Sequence, residues 1–144
     1  MRDNVERWLI HNSLSFEEIK NPENNFQILV KHGGQYGIPI DIFEPKSQPG
    51  VLVVGAKASM KNNQIARYLE FNEEEKQRFE KKVGDFCYSI QAIHKMIEED
   101  GKQKVGIFVV LDDKANVNQQ TVFDAIDRVS EMHEKTSRFL MKTF

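Results

Sequence analysis

The feature that most constrains this chain is an unbroken apolar run from Val105 to Leu111. Its 7 residues are far fewer than the ~20 that a membrane span needs, but they suit a buried strand. Alternate residues of a strand point to opposite faces, and here both sets are apolar: Val105, Ile107, Val109 and Leu111 on one face, Phe108 and Val110 on the other. We therefore predict a central strand over Lys104–Asp112.

Three further strands are predicted in the first half of the chain. Phe26–Lys31 and Ile38–Phe43 alternate between apolar and mixed positions, and Val51–Ala56 is apolar on both faces. The glycine-rich stretch 33–37 and the segment Pro45–Gly50 have the composition of turns. Because these connections are short, the three strands should form an antiparallel meander.

The remaining periodic stretches predict helices. Short helices are expected over residues 4–12 and over Asn62–Leu69. Apolar residues at alternating steps of four and three predict long helices over Glu73–Glu99 and from about Asn118 to Met141. Asn12–Asn25 is predicted to be a loop. For segment 113–118, the sequence does not decide between a loop and a further strand.

These elements predict one α+β domain over residues 1–144, in the order α-β-β-β-α-β-α. We expect an antiparallel sheet of four or five strands with long helices on one face. The sequence contains neither a composition shift typical of a linker nor an internal repeat.

The charge and the cysteine content limit the classes of protein to which this chain can belong. The 20 basic and 22 acidic side chains give a net charge of −2, which argues against a nucleic-acid binder. A single cysteine excludes an intrachain disulfide framework and is typical of a cytosolic protein. The N-terminal residues lack the apolar stretch of a signal peptide, and no apolar run is long enough to cross a membrane. We therefore expect a cytoplasmic location.

No arrangement of reactive side chains predicts a catalytic, cofactor or metal site. Cys87 lies in the middle of a predicted helix, where a structural role is favoured. The four histidines lack metal-ligand spacing, and residues 33–37 lack a phosphate-binding motif. Asp112 and Asp113 end the central strand, where carboxylates are common in both active sites and turns. Asp41 has no partner that the sequence identifies.

Several segments resemble a known family. They are Val5-x-x-Trp8-Leu9, Asn21-Pro22 through Ile28, Ile40–Lys46, the glutamate-rich start of the predicted long helix, and the strand from Val105 to Asp112. The chain resembles a family of small, uncharacterised, mainly archaeal proteins with the type III secretion chaperone-like fold. That resemblance implies an α+β domain that commonly dimerises and can bind protein segments.

The pattern of the strands indicates a binding surface. If helices cover one face of the sheet, a set of apolar side chains is left on the other: Leu29, Phe43, Phe108 and Val110. We expect this face to be covered by a protein or peptide client or by a second copy of the chain, unless the predicted loop over residues 13–24 covers it. The first hypothesis is therefore a non-enzymatic, chaperone-like and dimeric binding module. The alternative is a small-ligand-binding protein or enzyme with an acidic site near Asp112 and Asp113.

Overall fold

The structure, a computed structural model, describes residues 1–143 and has an α+β fold. Within that range there are four α-helices and a six-stranded antiparallel sheet. The helices are α1 (Arg2–His11), α2 (Asn62–Leu69), α3 (Glu73–Ser89) and α4 (Gln119–Thr143). The strands are β1 (Phe16–Glu18), β2 (Asn24–Gly33), β3 (Ile38–Pro45), β4 (Leu52–Ser59), β5 (Ile93–Glu99) and β6 (Lys102–Leu111).

The sheet has the strand order β1-β2-β3-β4-β6-β5. Strands β2, β3 and β4 form the predicted three-stranded meander, since each is antiparallel to the next, and β1 adds an antiparallel strand beside β2. In this register Ile28 lies opposite Ile42, and Ile42 lies opposite Val54. The buried residues of neighbouring strands therefore share one face. β6 lies between β4 and β5, which confirms that the apolar run is internal.

The predicted helix over Glu73–Glu99 is wrong in its second half. Helix α3 ends at Ser89, and Ile93–Glu99 is strand β5. The helix stops where Gln91 takes a positive φ of 59°. A spacing of four residues, such as that of Ile93 and Ile97, repeats in helices but also keeps both side chains on one face of a strand.

Two other segments change the predicted strand count and order. The predicted loop Asn12–Asn25 contains β1, which pairs with β2 so that Phe16 lies opposite Val30. With β5 this gives six strands instead of four or five, in the order α-β-β-β-β-α-α-β-β-α. Segment 113–118 forms no strand; it contains a single 3₁₀ turn over Lys114–Asn116, which Asp113 caps by accepting from the Ala115 N–H at 2.9 Å.

The chain divides into two compact units, described separately. The first comprises Met1–Ala56 and Phe108–Glu131. Its core is one face of β2–β4, where Ile28, Val30, Ile40, Ile42 and Val54 are fully buried. Ile126 of α4 approaches this face beside Gly33.

The second unit comprises Lys57–Ile107 and the chain from Met132 onward. Helix α3 contributes Phe79, Val83 and Cys87 to its core, at the spacing of one helical face. The ring of Phe86 stacks on Phe139 of α4, with 4.3 Å between the ring centres. The glycine inside α3, Gly84, faces the imidazole of His94 on β5.

Candidate functional site

The first unit presents a sheet face opposite its core. Because Ile28, Ile42 and Val54 point into the core, Leu29 of β2 and Phe43 of β3 point the other way. On β6, Val109 is buried, so Phe108 and Val110 also point away from the core. We call the surface formed by these four side chains, Leu29, Phe43, Phe108 and Val110, the open face. All four side chains lie on the side opposite the core, and binding of a partner there stays a prediction.

The open face remains partly accessible to solvent. Leu29, Phe43 and Phe108 are half-buried, whereas Val110 is 36% exposed. By contrast, the core residues of the same strands, such as Ile28 and Ile42, are completely inaccessible. Leu29 and Phe43 on the adjacent strands β2 and β3, and Phe108 and Val110 on β6, therefore keep part of their surface in contact with water, which is unfavourable unless another molecule covers them. On the intervening strand β4, Val53 lies opposite Phe43 and is only 8% exposed.

A hydrogen-bonded network borders this apolar surface. The amides of Asn21 and Asn24 both donate to Oε1 of Gln27, at 3.1 and 2.9 Å. Gln27 in turn donates to Oδ1 of Asp41 at 3.1 Å. Gln27 and Asp41 lie on the open face, because Gln27 is opposite Phe43 and Asp41 is opposite Leu29. The network ties the turn before β2 to the middle of β3.

This network corrects the expectation that Asp41 has no partner. It also joins two of the segments that carried the family resemblance, around Asn21 and around Asp41. The sequence does hold the signal: once β2 and β3 are paired through the turn at 34–37, residues 27 and 41 fall on the same face. The two Asn side chains could not be assigned from the sequence because both fall in the segment predicted to be a loop, although Asn24 is the first residue of β2.

Two opposite charges complete the border on the other side. Glu17 of β1 lies opposite Leu29. Lys31 lies two residues further along β2, on the same face, and both side chains are exposed. The apolar surface is therefore bordered by the hydrogen-bonded network that ends on the Asp41 carboxylate, by the acidic side chain of Glu17 and by the basic side chain of Lys31. A centre of apolar groups inside a polar rim is the usual composition of a protein–protein interface.

Cys87 and His133 both lie in the second unit, where burial changes their pKa values. Cys87 is fully buried in the second unit, and burial raises the pKa of its thiol to about 11, so it is a poor nucleophile near neutral pH. Nε2 of His133 donates to the carbonyl oxygen of Lys57 at 3.2 Å. Its Nδ1 is buried and finds no hydrogen-bond partner among the described residues. Burial lowers the pKa of His133, although the bond to Lys57 opposes that shift.

Asp112 and Asp113 do not form a cluster of reactive groups. Both are exposed, and Asp113 is engaged in capping the 3₁₀ turn that follows β6. Within residues 1–143, no three His, Cys, Asp or Glu side chains come together as the ligands of a metal ion would. The same part of the chain has no helix with the length and apolar character to traverse a lipid bilayer.

Two cavities are lined by residues other than those of the open face. One, of about 200 Å³, belongs to the second unit and is lined by Phe71, Glu75, Arg78, Phe79, Lys82 and Thr143. Its polar groups are largely engaged, since Glu75 caps the start of α3 and Arg78 pairs with Glu74 at 3.3 Å. The other, of about 100 Å³, lies beside α1 and is lined by Met1, Asn4, Trp8, Lys114 and Val117. Neither contains Asp112 or Asp113.

Comparisons with solved structures found proteins with a similar architecture. An uncharacterised protein from the archaeon Methanothermobacter thermautotrophicus has a TM-score of 0.76 at 12% identity, and the match covers 99% of this chain and 98% of that one. YbjN from E. coli, described as a putative transcription regulator, has a TM-score of 0.58 at 14% identity, covering 95% and 91%. At these identities the likeness shows a shared fold alone.

A comparison with curated proteins found no match. The family comparison did find one, over residues 1–140, which spans every segment of the resemblance seen in the sequence. The chain therefore belongs to the family described as Uncharacterized conserved protein (DUF2299).

Proposed function

We propose that this protein is a non-enzymatic binding module that holds an apolar segment of another protein on its open face. The observation that carries the proposal is the partial exposure of apolar side chains on the sheet face opposite the core of the first unit, with Val110 36% exposed. Burying such side chains in a complex is favourable by roughly 25 cal/mol per Å² of apolar area.

The composition of the border favours a protein segment over other ligands. A polyanion would require a field of one sign, whereas Lys31 is accompanied here by Glu17 and Asp41. A small ligand would favour an enclosed cavity, and these residues line neither of the two cavities described above. The partner is thus expected to present apolar side chains flanked by charges of both signs. The resemblance to the secretion chaperone-like fold also supports binding of a protein segment.

Selection of peptides followed by a matched pair of variants tests the proposal. A phage-displayed library of short random peptides would be selected on the immobilised protein, and the enriched peptides measured by fluorescence anisotropy. Val110→Asp places a charge on the open face, whereas Ile10→Asp places the same charge at an exposed apolar residue of α1. We expect Val110→Asp to weaken binding by at least about tenfold and Ile10→Asp to leave it unchanged.

Far-UV circular dichroism would establish that both variants are folded. Should the library yield only peptides whose affinity is equal for the two variants, the open face is not the binding surface. A library that yields no apolar peptide at all would also count against the proposal.

A further inference from the structure

Strand β5 is the edge of the sheet in the second unit, and its composition is divided by charge. Within residues 1–143, no strand pairs with the side of β5 that faces away from β6. The first half of the strand is basic, with His94 and Lys95, and the second half is acidic, with Glu98 and Glu99. Met96 lies at the centre, three residues from either end. From the charge division and the unpaired edge, we infer that β5 pairs antiparallel with β5 of a second copy of this chain, with Met96 on the two-fold axis.

The turn between β5 and β6 determines which backbone groups are available. Asp100 and Gly101 both have positive φ, 54° and 73°, as in a two-residue type I′ hairpin turn. In such a hairpin Glu99 and Lys102 form the first hydrogen-bonded pair, so the odd-numbered residues of β5 direct their N–H and C=O groups to β6. The N–H and C=O groups of His94, Met96 and Glu98 then point outward and can bond to another strand.

Pairing about Met96 uses all of these groups. Met96 lies opposite Met96 of the second copy, and His94 lies opposite Glu98 in two symmetric places, which joins the strands through three hydrogen-bonded residue pairs. The facing side chains are complementary, with an apolar pair at the centre and an imidazole beside a carboxylate on each side. A parallel arrangement would instead place like charges together.

The environment of the strand fits this arrangement. The ring of His94 lies on the side of β5 that faces Gly84 of α3. On the other side Glu99 forms ion pairs with Lys57 and Lys104, which fixes the end of the strand. The beginning of the strand is apolar and accessible: Ile93 is 55% exposed, and Tyr88, at the end of α3, is 85% exposed.

Charged side chains on an edge strand can also prevent that strand from pairing with another strand. The order of positive and negative side chains along the strand distinguishes charges that oppose pairing from charges that favour it. A protected edge carries charges that repel a second copy, usually lysines in mid-strand. On β5 the basic and acidic residues are segregated into two halves, so an antiparallel second copy places His94 opposite Glu98 and places no two like charges opposite each other. The opposite edge of the sheet, β1, is only three residues long and offers a much shorter template.

The mass of the protein in solution and three variants test this inference. By light scattering after size exclusion at about 100 µM, we expect twice the 16.8 kDa chain mass. His94→Glu places two carboxylates opposite each other and should raise the dimer dissociation constant at least about tenfold. The double variant His94→Glu/Glu98→Lys restores opposite charges and should restore the dimer. Met96→Pro removes an outward N–H without removing a bond to β6, and should give a monomer.

Oxidative cross-linking locates the axis independently of stability. Met96→Cys should form a disulfide-linked dimer, and the buried Cys87 should stay unreacted. A wild-type monomer at this concentration overturns the inference, as does a dimer that persists in Met96→Pro or a double variant that fails to recover. The open face takes no part in these measurements, so the peptide-binding proposal stands or falls separately.

Discussion

At the scale of single residues, the sharpest constraint is on Gly34 in the turn between β2 and β3. Its φ is +69°, and a Cβ there would overlap the Cβ of Ser130 and lie 2.6 Å from its Oγ. Ser130 cannot easily move, because it is completely buried and its Oγ accepts a hydrogen bond from the N–H of Tyr36 at 3.1 Å. We predict that Gly34→Ala lowers the free energy of unfolding by about 3 kcal/mol, from backbone strain and overpacking together.

Gly37→Ala is the matched control for this prediction. Gly37 belongs to the same turn and has a similar φ of +60°, but nothing lies within 4 Å of its Cβ position. It should therefore lose only the cost of the left-handed backbone, about 1–2 kcal/mol. Urea unfolding followed by circular dichroism measures both variants. Equal losses would show that the contact with Ser130 contributes nothing.

The sequence alone placed the apolar side chains of the candidate site on one face of the sheet. It did not predict the hydrogen bonds among the polar side chains that border them. Leu29 and Phe43 could be assigned to the open face because alternation within a strand requires no knowledge of its neighbours. The bond between Gln27 and Asp41 depends instead on the register of β2 with β3. That register includes an irregularity between Val30 and Gly33, which the sequence pattern does not show.

At the scale of elements, the periodic patterns predicted four of the six strands, β2, β3, β4 and β6, but neither β1 nor β5. The segment after Ser89 continues the apolar spacing of α3, so periodicity extended the helix too far. The sequence does contain the opposing signal, since Asp100-Gly101 between Ile93–Glu99 and Lys102–Leu111 is a typical hairpin turn. β1 is different: three residues are too few for a periodic pattern, and only pairing with β2 makes them a strand.

The contact between α4 and β4 makes stability dependent on pH. His133 of α4 donates to the carbonyl oxygen of Lys57 on β4, and burial lowers its pKa below the usual value of 6.5 despite that bond and the nearby Glu134. The unfolded chain therefore takes up a proton at higher pH than the folded chain. We predict that the free energy of unfolding falls as pH decreases from about 6.5 toward the lowered folded-state pKa, and that the full value is present only above about 6.5.

His133→Gln isolates this effect, because an amide can donate to Lys57 but does not titrate. Urea unfolding at pH 7.5 and at pH 5.0 should show a smaller loss of stability in His133→Gln than in the wild-type protein. His11→Gln, at an exposed position of α1, provides the control and should follow the wild-type curve. Parallel curves for wild type and His133→Gln would remove His133 as the source of the pH dependence.

At the scale of the whole molecule, the family and the fold are established but neither assigns an activity. The order of the predicted helices and strands indicated an α+β domain, a hydrophobic content of 40% indicated an ordinary globular chain, and the resemblance identified the family. Two of the solved structures with this fold are described as an uncharacterised protein and a putative transcription regulator. Because their identities to this chain are 12% and 14%, neither description is carried over, and the charges of this chain are the evidence on whether it binds DNA.

Those charges predict no useful affinity for DNA. With 20 basic and 22 acidic side chains, the chain lacks the positive field that releases counterions from phosphates. A local group of bases on α3 is diluted by acids, since Arg78 pairs with Glu74 and Glu80 precedes Lys81. We expect a fluorescent random-sequence duplex to bind more weakly than about 100 µM at physiological salt, without a steep dependence on salt. Anisotropy titrations at two salt concentrations measure this; micromolar binding that salt abolishes would favour a nucleic-acid function over peptide binding at the open face.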